Sequence, residues 1–200
     1  MSSREKLLGN RKEGLVFVVS APAGTGKTTL VNMLVKEFPS VVESISYTTR
    51  PARAGEVHGV HYNFVSVAEF EQKIANSGFL EYVKLYGNYY GTALHSVQEL
   101  IAQGKHVILV IDTQGALQLK GKFPATFIFL KPPSLEVLRE RLLRRQTETA
   151  VVIDERLLWA QKEIALAGKY DYCIVNDELQ IAYEALRSII IAEEHKVLNH

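Results

Sequence analysis

The sequence predicts an α/β fold: a parallel β-sheet with helices on both faces, interrupted by one β-rich insertion. Three observations carry this. Short valine- and isoleucine-rich runs recur along the chain, as strands buried on both faces do. Helical repeats of apolar residues separate or follow them. From residue 46 to about 91 the alternation breaks, and the text turns polar and aromatic.

Each element has its own signal. LVFVVS (15–20) is a nearly continuous apolar run and predicts the first buried strand. Beyond a glycine-bearing loop, Leu30, Val31, Leu34 and Phe38 recur at helical spacing until Pro39 stops the helix. HVILVI (106–111), ATFIFL (125–130) and YCIV (172–175) predict further buried strands. Leu135, Leu138 and Leu142 mark one helix, and Leu157, Ala160, Ile164 and Ala167 a second. Leu179, Ala182, Tyr183, Leu186 and Ile190 mark the last. Inside the insertion YNFV and FLEYVK read as short strands, and Ser66 with Glu69 forms a capping box that opens a short helix. Such a block is a candidate substrate-binding subdomain, with a merely decorative insertion as the plainer alternative.

Two hundred residues, 47% hydrophobic and 22% charged, suit one soluble domain with its own core. A net charge of +1 gives no bulk attraction to nucleic acid or a membrane surface, so neither is expected as a partner. The apolar run at 15–19 is far too short to cross a bilayer. The single Cys173 excludes an internal disulfide and fits a reducing compartment, so a cytoplasmic location is expected. Lying in an apolar strand, Cys173 reads as a small core residue. His58, His61, His95, His106, His195 and His200 have no cysteine or carboxylate pattern to complete a metal site and read as surface groups.

The loop SAPAGTGKTT (20–29) carries the first chemistry. It matches the phosphate-binding pattern G-x-x-x-x-G-K-[ST], except that Ala21 stands where the first glycine belongs. Consecutive backbone N–H groups in the run Ala21, Pro22, Ala23, Gly24, Thr25, Gly26, Lys27, Thr28 and Thr29 can curl around phosphate oxygens at a helix N-terminus. Lys27 is placed to reach the β- and γ-phosphates, and the Thr28 hydroxyl to ligate Mg²⁺. The methyl group of Ala21 is acceptable if its φ is negative. HVILVID ends a hydrophobic strand on Asp112, an arrangement that organises Mg²⁺ and its waters. A strand-ending aspartate that only caps the next turn is the alternative.

The insertion carries the second chemistry. SYTTRPARAGEVHGVHY holds Arg50 and Arg53 three residues apart, followed by Tyr62. Guanidinium forks and a phenol suit a phosphate monoester bound without metal. FLEYVKLYGNYYGT then brings Glu81, Tyr90 and Thr92. A carboxylate accepts two parallel hydrogen bonds from the N1–H and 2-amino group of guanine while a hydroxyl donates to O6. Adenine would present that carboxylate with a lone pair, and such mismatches discriminate strongly.

With these runs the chain resembles the guanylate kinases over more than nine tenths of its length, from about residue 14 onward. The resemblance rests on SAPAGTGKTT, SYTTRPARAGEVHGVHYNFV, GNYYGT, IDTQG, KPPS, RRQTET and IVND. It implies a three-layer P-loop nucleoside-monophosphate-kinase fold. The core would comprise 1–45, 92–135 and 169–200, with a GMP-binding subdomain at 46–91 and a helical lid at 136–168. It also implies transfer of the γ-phosphate of ATP to GMP, and to dGMP, with Mg²⁺. Ser46, Arg50, Arg53, Tyr62 and Tyr90 would hold the GMP phosphate, and Glu81, Thr92 and Asp112 would face the guanine. Asn176 would lie near the adenine. Arg141, Arg145 and Arg156 match the lid arginines that join Lys27 and Arg50 in catalysis, with Arg144 an extra candidate. Without the motif, these arginines would read as an exposed helix face laced by i,i+4 pairs.

Four positions depart from the family pattern: Ala21 in the loop, Val110 where an acidic residue is usual, Gln146 where glycine is common, and Thr92 in place of serine. Two rival readings share the fold, a catalytically silent phosphopeptide-binding module and a kinase of phosphorylated sugars. Intact Lys27, Thr28 and Asp112 speak against the first, and Glu81 with Thr92 against the second.

Overall fold

The apolar run at 15–20 forms β1 (Val16–Ser20), all five residues of which are buried. The computed structural model describes residues 7–144 and 149–197. After β1 come α1 (Lys27–Glu37), β2 (Val41–Glu43), β3 (Tyr47–Thr48), β4 (Asn63–Phe64), α2 (Val67–Ala75), β5 (Phe79–Leu85) and β6 (Asn88–Ala93). The chain continues through α3 (Leu94–Ala102), β7 (His106–Val110), α4 (Thr113–Leu119), β8 (Thr126–Lys131) and α5 (Leu135–Arg144). It closes with α6 (Ala150–Ala165), β9 (Tyr172–Val175) and α7 (Leu179–Glu194).

Five strands make one parallel sheet in the order β2-β7-β1-β8-β9. Strand alternation sorts β1 between two cores. Phe17 and Val19 pack with Leu30 and Leu34 of α1 and Leu186 and Ile190 of α7. Val16 and Val18 face the other way, with Val97 of α3 and Ala116 and Leu119 of α4. Helices therefore cover both faces, giving the three layers expected. The sequence order reverses on either side of β1, and the loop leaving its carboxyl end opens there, where α/β sheets form their crevices.

A second sheet, ordered β4-β3-β6-β5, runs from Tyr47 to Ala93. Helix α2 packs on it through Phe70, whose ring stacks on Phe79 and Tyr89 at 4.3 and 5.0 Å. The predicted capping box is formed, with Ser66 accepting from the Glu69 N–H and Glu69 answering at the Ser66 N–H. Helices α5 and α6 share a small core of their own, Leu138, Leu142, Ile153 and Ala160.

Two expectations need correction. YCIV forms β9 at the edge of the sheet, so only Ile174 is buried, and Cys173 is exposed. His106 is not a surface group. It starts β7, a central strand, and is fully buried. No helix among the described residues is long and apolar enough to cross a membrane.

Candidate active site

The loop after β1 is shaped by two glycines with left-handed backbone, Gly24 at φ 90° and Gly26 at φ 99°. Ala21 is absent from the residues with positive φ, so its methyl group is accommodated without strain. Gly26 caps α1 with no side-chain hydrogen bond, so the first N–H groups of that helix are left for an anion. A side chain at Gly26 would come within 2.6 Å of the Asn176 amide, which donates to the Thr25 carbonyl. The loop is therefore propped from behind. Thr25 is fully buried beneath it.

In front of the loop lies a cavity of about 690 Å³. Ala21, Pro22, Ala23, Gly24, Gly26, Lys27, Thr28 and Thr29 form one wall. Asp112 and Thr113 form the floor, and Lys84, Tyr86, Trp159, Lys162 and Glu163 lie opposite. Burial pushes the pKa of Lys27 down, against the pull of Glu163, Asp112 and Glu43. Burial likewise pushes Glu163 up to about 7, with Lys27 opposing and Asp112 adding to the rise.

A narrower cavity of about 180 Å³ continues from Lys27 and Asp112 past Ser46, Tyr62, Glu81, Tyr90 and Val110. Antiparallel pairing of β5 with β6 sets Glu81 directly opposite Thr92. The Thr92 hydroxyl donates to Glu81 Oε1 at 2.6 Å, with both residues buried. Burial raises the Glu81 carboxyl to about 7, the Thr92 hydrogen bond opposes this, and Asp112 adds to it. Asp112 does cap α4, with its Oδ1 accepting from the N–H groups of Gln114 and Gly115. It lines both cavities as well, so the capping alternative and the binding one share a residue.

The third cavity, about 340 Å³, gathers Arg50, Arg53, Tyr62, Tyr90 and Arg156 with Glu56, Trp159 and Glu163. Arg50 is built into its wall. Its Nη1 donates to Pro51 O at 2.7 Å and Glu56 Oε2 at 2.9 Å, and its Nη2 to Glu56 Oε1 at 2.9 Å. The rings of Tyr62 and Phe64 lie 5.5 and 5.8 Å from the guanidinium carbon. A guanidinium has five N–H donors. Beyond these three, Nε–H and one Nη2–H form the side-on edge that can grip a phosphate in parallel, and the Tyr90 phenol bonds to the same guanidinium. The Glu56 hydrogen bonds, opposed by burial and helped by Tyr90, hold the Arg50 pKa above its ordinary value.

Other sequence candidates lie elsewhere. Arg141 donates to the carbonyls of Asn176 and Asp177 at 2.9 and 3.2 Å, and it lines none of the three cavities. Asn176 is buried behind the loop rather than open to the cleft. Arg144 is largely exposed, 3.8 Å from Glu140. Arg145 and Gln146 lie outside the described residues. Conversely, Glu56, Lys84, Tyr86, Trp159, Lys162 and Glu163 line the cleft without a role in the sequence reading. Of these, Glu56 lies within the quoted arginine run, and Lys84 and Tyr86 within the quoted FLEYVKLYGNYYGT.

Thr28 and Asp112 offer hard oxygen donors to one cavity. Among the described residues no group of three or more histidine, cysteine or carboxylate side chains could hold a metal alone. That sparse set fits Mg²⁺, which keeps several waters and leans on phosphate oxygens.

A glycine-bearing phosphate loop after the central strand of a parallel sheet, with a small inserted sheet beside it, defines a P-loop protein of the nucleoside-monophosphate-kinase class. A family model described as guanylate kinase matches residues 13–193, and the chain belongs to that family. It is similar to a guanylate kinase of Protochlamydia amoebophila, 59% identical over 96% of this chain and 98% of the relative. One from Chlamydia trachomatis is 51% identical over 91% and 89% of the two chains. A crystal structure of guanylate kinase from Anaplasma phagocytophilum superposes with a TM-score of 0.77 at 33% identity, covering 92% and 88%.

Proposed function

We propose that the chain transfers the γ-phosphate of ATP to GMP, and to dGMP, giving ADP and the nucleoside diphosphate. The observation that carries this is the continuity of the three cavities. Lys27 and Asp112 stand at the joint of the first and second, Ala23 and Glu163 at that of the first and third, and Tyr62 and Tyr90 at that of the second and third. A triphosphate on the loop, a purine against Glu81 and a monophosphate at Arg50 would then converge on one point.

In this reading the loop amides and Lys27 hold the donor phosphates. Ser46, Arg50, Arg53, Tyr62 and Tyr90 hold the acceptor phosphate, and Glu81, Thr92 and Asp112 select guanine. The Thr92 hydroxyl turns from Glu81 to O6 of the base as the carboxylate takes up N1–H and the 2-amino group. Thr28 and Asp112 would hold Mg²⁺, which would supply charge neutralisation for the phosphates. An oxygen of the GMP phosphate attacks the γ-phosphorus as the bond to the bridging oxygen breaks, and the electron pair leaves on ADP. The acceptor already carries anionic oxygens, so positioning and electrostatics do the catalytic work. Residues 46–91 act as the GMP-binding subdomain and 136–168 as the lid, with Arg156 facing the acceptor cavity. The exposed thiol of Cys173 suits the reducing cytoplasm in which we place the enzyme.

The silent module and the sugar kinase are not favoured, since the relatives at 59% and 51% identity are named guanylate kinases. A coupled ADP-release assay over GMP, dGMP, AMP, CMP and UMP tests the reading. Turnover with the guanine nucleotides alone, abolished by Lys27→Met, is the expected result. Silence with every acceptor would overturn it.

A further inference from the structure

A glycine inside a helix costs about 1 kcal/mol relative to alanine, so it calls for a reason. Gly115 sits in the first turn of α4, and its φ lies outside the left-handed region, so the backbone does not require it. The reason lies across the cleft. A Cβ built on Gly115 would fall closer to Glu81 Oε2 than the 3.0 Å that such atoms keep from any neighbour, and 3.1 Å from its Cδ. Ile111 Cδ1, at 3.6 Å, would be an ordinary contact.

Glu81 has no easy retreat. Its other oxygen is held by Thr92 at 2.6 Å, and only 3% of the residue is exposed. The obstructing atoms are the tip of a side chain and not backbone, so a methyl group at 115 would leave the fold intact and turn the carboxylate. We infer that Gly115 is a positioning residue for base recognition, leaving the space in which the Glu81 carboxylate is held at the angle that meets guanine. This rests on the guanine reading of Glu81 given above. Asp112 accepts from Gly115 N–H at 3.2 Å, which fixes the turn that presents Gly115 to Glu81.

The test is Gly115→Ala, assayed with GMP, IMP and ATP beside a thermal melt. IMP lacks the 2-amino group, so a turned carboxylate loses more with GMP than with IMP. The expected result is a KM for GMP raised about tenfold, the cost of one misplaced hydrogen bond to a charged group. The preference for GMP over IMP should fall several-fold, and the KM for ATP should hold within about twofold. The melting temperature should hold or rise, because alanine favours the helix. In Gly115→Ala/Glu81→Asp the shorter acid clears the methyl group, so the double variant should be no worse with GMP than Glu81→Asp alone. An unchanged KM for GMP, an equal loss for ATP, losses that multiply in the double variant, or a melt several degrees lower would each overturn the inference. Glu81→Gln separates the two readings. If it leaves GMP kinetics untouched, the guanine reading itself fails, whereas a damaged Glu81→Gln beside a normal Gly115→Ala sinks only the role of Gly115.

Discussion

His106 and Glu194 face each other across 2.7 Å, Nε2 to Oε2, with neither side chain open to solvent. The imidazole accepts the Leu15 N–H at Nδ1, so its proton resides on Nε2, toward the carboxyl group. Glu194 Oε1 in turn accepts the Asn10 N–H, and its carbonyl accepts from Arg11. One buried pair thus ties the N-terminal segment and the end of α7 to the start of β7. A glutamine at 194 would set an N–H₂ or lose an acceptor where two donors converge. Glu194→Gln should cost about 2 kcal/mol of stability with nucleotide KM values unchanged, as read by urea unfolding and steady-state kinetics. A cleft-damaging effect without loss of stability would refute it.

The same pair sets an acid limit. Burial, opposed by Glu194, holds the His106 pKa below its ordinary value of 6.5. The folded state therefore binds fewer protons than the unfolded state just below that pH, and stability falls as the pH drops. His106→Gln should flatten this part of the stability profile below the ordinary histidine pKa of 6.5, measured by melts across the acid range. A variant whose profile keeps the wild-type slope would assign the acid limit to other groups.

Glu56 fixes the orientation of Arg50, the arginine proposed above to hold the acceptor phosphate. Its carboxylate takes the end-on face of Arg50 and the Arg53 N–H at 2.7 Å, and the pairing with Arg50 holds its own pKa at about 2. Exposed ion pairs contribute little, but this one is bidentate and mostly covered. Glu56→Gln breaks one arm of the fork. A rise of five- to thirtyfold in KM for GMP is expected, corresponding to about 1–2 kcal/mol, with KM for ATP unmoved. A fall in KM for GMP would instead mark Glu56 as an anion that the substrate must displace.

The legible parts of the site were those confined to one stretch of chain. A buried central strand running into G-x-G-K-T has few alternative structures, and Arg50, Arg53 and Tyr62 announce an anion by type and spacing alone. Glu81 and Thr92 were legible as a chemical pair, although only the β5–β6 register sets them opposite each other. Tyr86, Trp159 and Glu163 were not, because the packing of α6 across the loop, and no local pattern, makes them walls of the cleft. His106 and Glu194 are far apart in sequence and meet only in the folded chain. The exposure of Cys173 depends on β9 being the last strand of its sheet, which an apolar run does not reveal. Strand β2, three residues long, is shorter than any periodicity can register.

Glu81 should make GMP use pH-dependent in one direction. In the function proposed above guanine donates to its carboxylate, so only the ionised acid would recognise the base, and burial raises its pKa to about 7. The KM for GMP should climb by about tenfold per pH unit below 7 while the KM for ATP stays flatter. Stability runs the other way. A carboxyl with a raised folded pKa loses stability as the pH climbs from the unfolded value of 4.5 through 7, here by on the order of 3 kcal/mol. Glu81→Gln, which keeps the Thr92 hydrogen bond, should therefore melt higher than the parent at pH 8, by a margin that shrinks toward pH 5. Equal melting at pH 8 would show that the acid is ionised at little cost.

Tyr86 and Trp159 meet edge to face, ring centres 6.4 Å apart, across the mouth of the cleft. Tyr86 is at the tip between β5 and β6, held at φ 50° and 74% exposed, while Trp159 projects from α6. The contact joins the small sheet to the α5–α6 pair, so it reports how far these two parts of the cleft have closed. Trp159 is the sole tryptophan of the chain and lines the first and third cavities, so its fluorescence reads the cleft directly. Its emission should change on adding GMP with a non-hydrolysable ATP analogue. Tyr86→Ala should diminish that change. Removing an aromatic pair costs about 0.5–1.5 kcal/mol, so KM for both nucleotides should rise by roughly two- to twelvefold. So exposed a ring holds little of the fold, and the melting temperature should stay within about two degrees. Emission indifferent to both nucleotides together would mean that the two aromatic rings do not move when the site fills.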